Sequence, residues 1–169
     1  MNKETKVLIS VVIITFLAIF GFAFLVGKAN PPNVSVVSGD DIGLVLSPSF
    51  YDVGDVPIEG GNVVKKYEVK NSTDETIRLK KIATSCMCTK AKVKVNDNET
   101  KEFGMEGHGD SNPPVNMDIP PGVTAKVTAI FDPAAHGPQG VGAFDRIVYL
   151  TFSDPGGVVE LKFNGTVVR

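Results

Sequence analysis

The chain has 169 residues, with 17 Lys and Arg against 19 Asp and Glu, two Cys and no Trp. Setting aside Lys3, Lys6, Lys28 and Glu4 around an apolar N-terminal run leaves 14 basic and 18 acidic residues, a net charge of −4. With no basic cluster and no interleaved aromatics, that balance excludes nucleic acid as a partner class.

Val7 to Gly27, VLISVVIITFLAIFGFAFLVG, carries no charge. It is long enough to cross the roughly 30 Å hydrocarbon core of a bilayer as one transmembrane helix. Lys3 and Lys6 precede it with only Glu4 against them, which predicts a cytoplasmic N-terminus, a single pass of the cell membrane and an extracytoplasmic domain. A cleaved secretory signal is the competing reading, because Gly27-Lys28-Ala29 offers small residues for a signal peptidase. The run exceeds the roughly 7 to 15 residues of a signal h-region, which favours an uncleaved anchor. No Cys follows the run, so lipid attachment has nothing to modify. The expected organisation is residues 1–28 as anchor or signal sequence, 29–43 as a Pro-containing linker, and 44–169 as one domain of ordinary size.

After residue 43 the pattern changes to short period-two runs rich in Val, Ile, Thr, Tyr and Phe, bounded by Gly, Pro, Asn and Asp. Strands are predicted over Leu44–Ser47, Val63–Asn71, Thr76–Thr84, Cys88–Val95, Val123–Asp132, Asp145–Ser153 and Val158–Val168. Seven strands with turn signals such as NSTDE, PPG and SDPGG predict an all-β, immunoglobulin-like β-sandwich. The two cysteines lie only one residue apart and Trp is absent, so the disulfide-on-Trp core of antibody domains is excluded. The core is expected from Tyr67, Val69, Ile77, Leu79, Val127, Ala129, Phe131, Ile147, Tyr149, Leu161 and Phe163.

The stretch YDVGDVPIEGGNVVKKYEVKNSTDETIRLKKIATSCMCTKAKV resembles the bacterial domain of unknown function 1573. Its aromatic-x-aromatic-Gly start falls on Tyr51, Val53 and Gly54, its Asn-rich turn on Asn71 and Asp74, and its Ser-Cys-Gly-Cys-Thr signature on Ser85, Cys86, Cys88 and Thr89. PPGVTAKVTAIFDP and FDRIVYLTFSDPGG resemble later strands of the same family. Met87 departs from the usual Gly, and the connection Asn96 to Asp118 is longer than the family's. The resemblance implies an exported immunoglobulin-like domain related to adhesion, chaperone and motile-sperm sandwiches, and implies no reaction.

Cys86 and Cys88 raise the chemical question. In an extended strand, residues i and i+2 share a face about 6.5 to 7 Å apart at Cα. Disulfides favour about 5.5 to 6 Å, so a bond within a strand requires strain or a bulge and would be easily reduced. The closed loop is too small to stabilise the fold much. The same geometry aims two soft ligands at one metal, copper(I) or zinc(II), with Met105, His108 and Met117 completing a site if the insert folds back. Three readings stand open: a buried inert pair at a bulge, an oxidised pair with redox or protective behaviour, and a metal site of Cys86, Cys88, His108, Met105 and Met117. Only the third implies a cofactor, copper or zinc. His136, within PAAHGPQG, reads as a solvated turn residue.

There is no Gly-x-Ser-x-Gly elbow, His-Glu-x-x-His, phosphate loop or calcium loop, so no enzyme activity is expected. Asn71, Asn98 and Asn164 begin glycosylation sequons, a pattern that recurs by chance. Two functions follow. The first is a membrane-anchored extracytoplasmic module binding a protein partner at the cell surface, or assembling the envelope. The second is a thiol-redox or copper-handling protein.

Overall fold

The computed structural model describes residues 2–26, 36–109 and 111–169. The chain divides after Asn33 into two compact units. The first contains helix α1, Lys3–Val26. The membrane span expected over 7–27 falls on it, except Gly27, which with Lys28 and residues 29–35 of the expected linker lies outside the described residues. Side chains within α1 are described in part, and among the described residues no helix is long and apolar enough to cross a membrane.

The second unit is a two-sheet β-sandwich. One sheet has the order β1-β3-β8-β5-β6 and the other β2-β10-β9-β4-β7. In chain order these strands are β1 Leu44–Ser47, β2 Phe50–Pro57, β3 Val63–Asn71, β4 Ile77–Thr84, β5 Thr89–Val95, β6 Asn98–Glu99, β7 Met117–Ile119, β8 Thr124–Phe131, β9 Gly142–Ser153 and β10 Gly156–Val168. Most connections pass from one sheet to the other, so the chain is built largely of arches. Pairing is antiparallel except where β2 joins β10 in parallel.

Each expected strand is present, Leu44–Ser47 and Val63–Asn71 with unchanged bounds and the others with their ends adjusted, and β2, β6 and β7 are additional. β2 escapes the period-two pattern because Gly54 interrupts it at φ +64°, where the Gly54 amide donates to Asp52 Oδ1 at 2.9 Å. Gly165 faces it across a register shift between Asn164 and Thr166. A Cβ on Gly165 would stand 2.5 Å from the Gly54 carbonyl oxygen, so backbone contact at this point requires glycine.

Apolar residues from both inner faces meet in one core, including Tyr67, Val69, Ile77, Leu79, Val127, Ala129, Phe131, Leu161 and Phe163, as expected. Ile147 and Tyr149 are corrections: β9 buries the opposite set, Phe144, Val148, Leu150 and Phe152. Both alternations are apolar at their first members, but continuing along Ile147 and Tyr149 reaches Thr151. The other set ends on Phe152, so that face buries more apolar area.

The sandwich also begins before Leu44. Val37 N–H donates to the Val158 carbonyl at 2.9 Å, and a 3-10 turn, Gly39–Ile42, buries Gly39 and Ile42. At the end of β3, fully buried Asn71 donates to the carbonyls of Glu75 at 2.7 Å and Ile119 at 2.8 Å, and accepts from the Thr73 amide and hydroxyl. Its amide has no free hydrogen and no exposure, so this sequon is closed to glycosylation.

Candidate functional site

Strand order places the two cysteines beside residues distant in sequence. The end of β4 pairs with the middle of β9, Thr84 opposite Val148, and the start of β5 pairs with the end of β8, Thr89 opposite Phe131. The β4–β5 arch, which holds Cys86 and Cys88, therefore stacks on the β8–β9 arch at one end of the sandwich.

The cysteines occupy a tight turn rather than a strand. Thr89 N–H donates to the Cys86 carbonyl at 3.1 Å, and the turn brings the Cα atoms of Cys86 and Cys88 to 5.3 Å, where they form a disulfide. The expectation of an extended Cys-x-Cys starting the strand is thus corrected: β5 begins at Thr89, and the turn supplies the short span that a strand denies. Ser85 anchors the turn to β9 in both directions, its amide donating to the Ile147 carbonyl at 3.0 Å and its hydroxyl accepting from the Ile147 amide at 2.9 Å. The Asp132 amide donates to the Cys88 carbonyl at 2.9 Å. The buried Thr84 hydroxyl reaches the carbonyls of Cys86 and Thr89 at 3.0 and 2.9 Å.

Two further side chains complete the site. His136 Nε2 stands 3.4 Å from Cys86 Sγ, held by the β8–β9 arch, in which Asp132 Oδ1 accepts from the Ala134 amide at 2.8 Å and Gly137 takes φ +58°. Arg146 Nε donates to Cys88 Sγ at 3.1 Å. Its guanidinium carbon lies 5.7 and 5.6 Å from the ring centroids of Phe131 and Phe144, attracted by the ring faces. Burial lowers the Arg146 pKa, an effect that neighbouring Asp145 opposes; the guanidinium remains a cation. Cys88 is buried and Cys86 half-buried, so the disulfide presents one sulfur toward the surface. A cationic neighbour favours the thiolate over the thiol when such a pair is opened.

The insert does fold back, but along β4. The Gly104 carbonyl accepts from the Thr84 amide at 3.2 Å, the Lys80 carbonyl from the Val115 amide at 2.8 Å, and Met117 pairs with Leu79. Met117 is thus five residues, about 17 Å, down the strand from Thr84. Met105 follows Gly104 and is half-buried, while His108 is exposed. Among the described residues the ligand atoms that gather, all within 4.8 Å of one another, are those of Cys86, Cys88 and His136. The histidine beside the sulfurs is therefore the one read from sequence as a solvated turn residue, not His108. Arg146 was not singled out at all. Only knowledge that the two arches share one end could have found them.

Beside the same arch a mostly apolar groove runs between the end of β2 and the β8–β9 connection, lined by Pro57, Ile58, Ala134, Gly137, Pro138 and Val141, with Glu59 and Arg169 bringing charge to it.

The fold and site define an arch-built β-sandwich carrying a Cys-x-Cys disulfide at one end. Residues 45–106 match the family described as protein of unknown function (DUF1573), which bears out the family resemblance over that stretch; the later strands read as resembling the family lie beyond it. Among solved structures, a protein of unknown function from Porphyromonas gingivalis W83 superposes with TM-score 0.50 at 16% identity, over 82% of this chain and 50% of that one. This chain thus spans half the length of that relative, and the likeness is one of fold. The secreted serine protease VesC from Vibrio cholerae aligns at TM-score 0.48 and 12% identity, over 76% of this chain and 24% of that one. The PapD-like domain 7 of human CEP192 gives 0.45 and 11%, over 84% and 92%. No curated protein matches the chain.

Proposed function

We propose that the chain is a membrane-anchored, extracytoplasmic, immunoglobulin-like module that docks a protein partner of the cell envelope through the loops at one end of its sandwich. The observation that carries this reading is the groove between Pro57, Ile58, Pro138 and Val141, in which Val141 is 38% exposed. Apolar side chains left open between ordered loops fit an apolar segment of a partner.

The sheet edges are poorer candidates. β1, β6 and β7 have four, two and three residues. β2 carries Asp52, Asp55, a left-handed Gly54 and Pro57, features that discourage strand addition. The support for the anchor is the sequence itself: Val7 to Gly27 carries no charge, and Lys3 and Lys6 precede it. No catalytic constellation enters this reading, and it requires no cofactor.

The test is site-specific photocrosslinking in native membranes with the probe at Val141, and with a control probe at exposed Lys126. A discrete adduct at Val141, absent at Lys126 and lost on adding Ile58→Asp, is the expected outcome. Equal labelling at both positions, or an adduct indifferent to Ile58→Asp, overturns it.

A further inference from the structure

Opened by reduction, the disulfide leaves two sulfurs beside an imidazole whose position is already set. We propose that reduced Cys86 and Cys88, together with His136 Nε2, form a site for one copper(I) ion. This inference does not depend on the docking reading, although the β8–β9 arch borders both the cysteines and the groove.

Three observations carry it. First, the two Sγ atoms and a His136 ring nitrogen already lie within 4.8 Å of one another. Metal–sulfur bonds of about 2.3 Å at trigonal angles place two sulfurs roughly 4 Å apart, so bond opening requires side-chain rotation and no movement of the arches. Second, a set of two thiolates and one imidazole is soft and three-coordinate, which suits copper(I) better than zinc(II), an ion that prefers four ligands. Third, a cation already stands at the sulfurs: Arg146 Nε donates to Cys88 Sγ at 3.1 Å, and a neighbouring positive charge favours the thiolate that copper(I) takes as ligand.

The chemistry balances. Opening the disulfide takes two electrons and two protons from a dithiol, which becomes a disulfide in turn. Copper(I) then displaces the two thiol protons, and its oxidation state does not change. The oxidised pair offers no thiolate, so the site exists only in the reduced protein.

The experiment is an anaerobic titration of the full chain in detergent. The chain is reduced with a phosphine and titrated with Cu(I) against a chromophoric copper(I) chelator. One equivalent should bind with two sulfurs and one nitrogen in X-ray absorption. The double variant Cys86→Ser, Cys88→Ser should lose it, and His136→Ala, altering an exposed loop residue, should weaken it at least tenfold. His108→Ala should leave affinity unchanged. Four outcomes each overturn the proposal: affinity indifferent to His136→Ala, affinity lost with His108→Ala, zinc(II) bound as tightly as copper(I), or absorption spectra without a copper–nitrogen bond. The absorption measurement on the wild type keeps the test decisive even if a variant folds poorly.

Discussion

Tyr67 shows how one side chain ties the two sheets together. It is fully buried on β3, yet its hydroxyl donates to the Lys162 carbonyl of β10 at 2.9 Å, and its ring meets Tyr51 of β2 edge-on, centroids 5.0 Å apart. Burial raises the phenol pKa well above its usual value, and Tyr51 adds to the effect. The folded chain therefore holds this proton after the unfolded chain has begun to lose it, near pH 10. Stability from this group is fully present below about pH 10 and is lost as pH rises beyond it, at up to about 1.4 kcal/mol per pH unit. Urea unfolding at a series of alkaline pH values should show this slope in the wild type. Tyr67→Phe should remove that part of it, while lowering stability at neutral pH by about 1 kcal/mol through loss of the interstrand hydrogen bond. Parallel decline of both proteins above pH 10 would assign the slope to other groups.

At the scale of the strand, legibility depended on whether one face alone could be buried. β3, β8 and β10 alternate apolar residues with charged or polar ones, so their inner faces were plain from the sequence, whereas β4 shows its inner face at Ile77 and Leu79 and then shifts it to Ile82 and Thr84 at a bulge that the sequence does not announce. β9 was not, because ArgIleValTyrLeuThrPheSer is apolar on both faces over Ile147 to Leu150, and a one-residue shift exchanges them. The structure decides for Val148, Leu150 and Phe152. Leu150→Ala should then cost about 2 to 5 kcal/mol in urea unfolding, the loss expected of a buried leucine. Ile147→Ala, at a half-buried position, should cost about 1 kcal/mol. The reverse ranking would put β9 in the other register. β2 was illegible for a different reason: a left-handed glycine, two acids and a terminal proline disguise an eight-residue edge strand whose parallel pairing with β10 is a long-range fact. The functional end was hidden in the same way. Cys86 and Cys88 announced themselves, but His136 and Arg146 lie 50 and 58 residues beyond their sulfur partners, and only the stacking of two arches makes them neighbours.

For the whole molecule, the arches place the disulfide, His136, Arg146 and the groove at one end of the sandwich, so a single loop, the β8–β9 connection, serves both the metal proposal and the docking proposal. The remaining claim concerns which side of a membrane that end occupies. Val7 to Gly27 carries no charge, and Lys3 and Lys6 precede it. The excess of positive charge should hold the N-terminus in the cytoplasm and export the sandwich. In a background with Cys86→Ser and Cys88→Ser, single cysteines at exposed Lys126 and at Asn2 report the two sides separately. A membrane-impermeant maleimide added to intact spheroplasts should label Lys126→Cys and spare Asn2→Cys, which should react only after permeabilisation. Carbonate extraction should leave the full-length chain with the membranes, since an apolar segment of this length does not leave the bilayer when peripheral contacts are stripped. Label at Asn2→Cys without permeabilisation would reverse the topology. Release of the full-length chain by carbonate would refute the anchor, and a mature mass beginning at Lys28 or Ala29 would convert it into a cleaved signal.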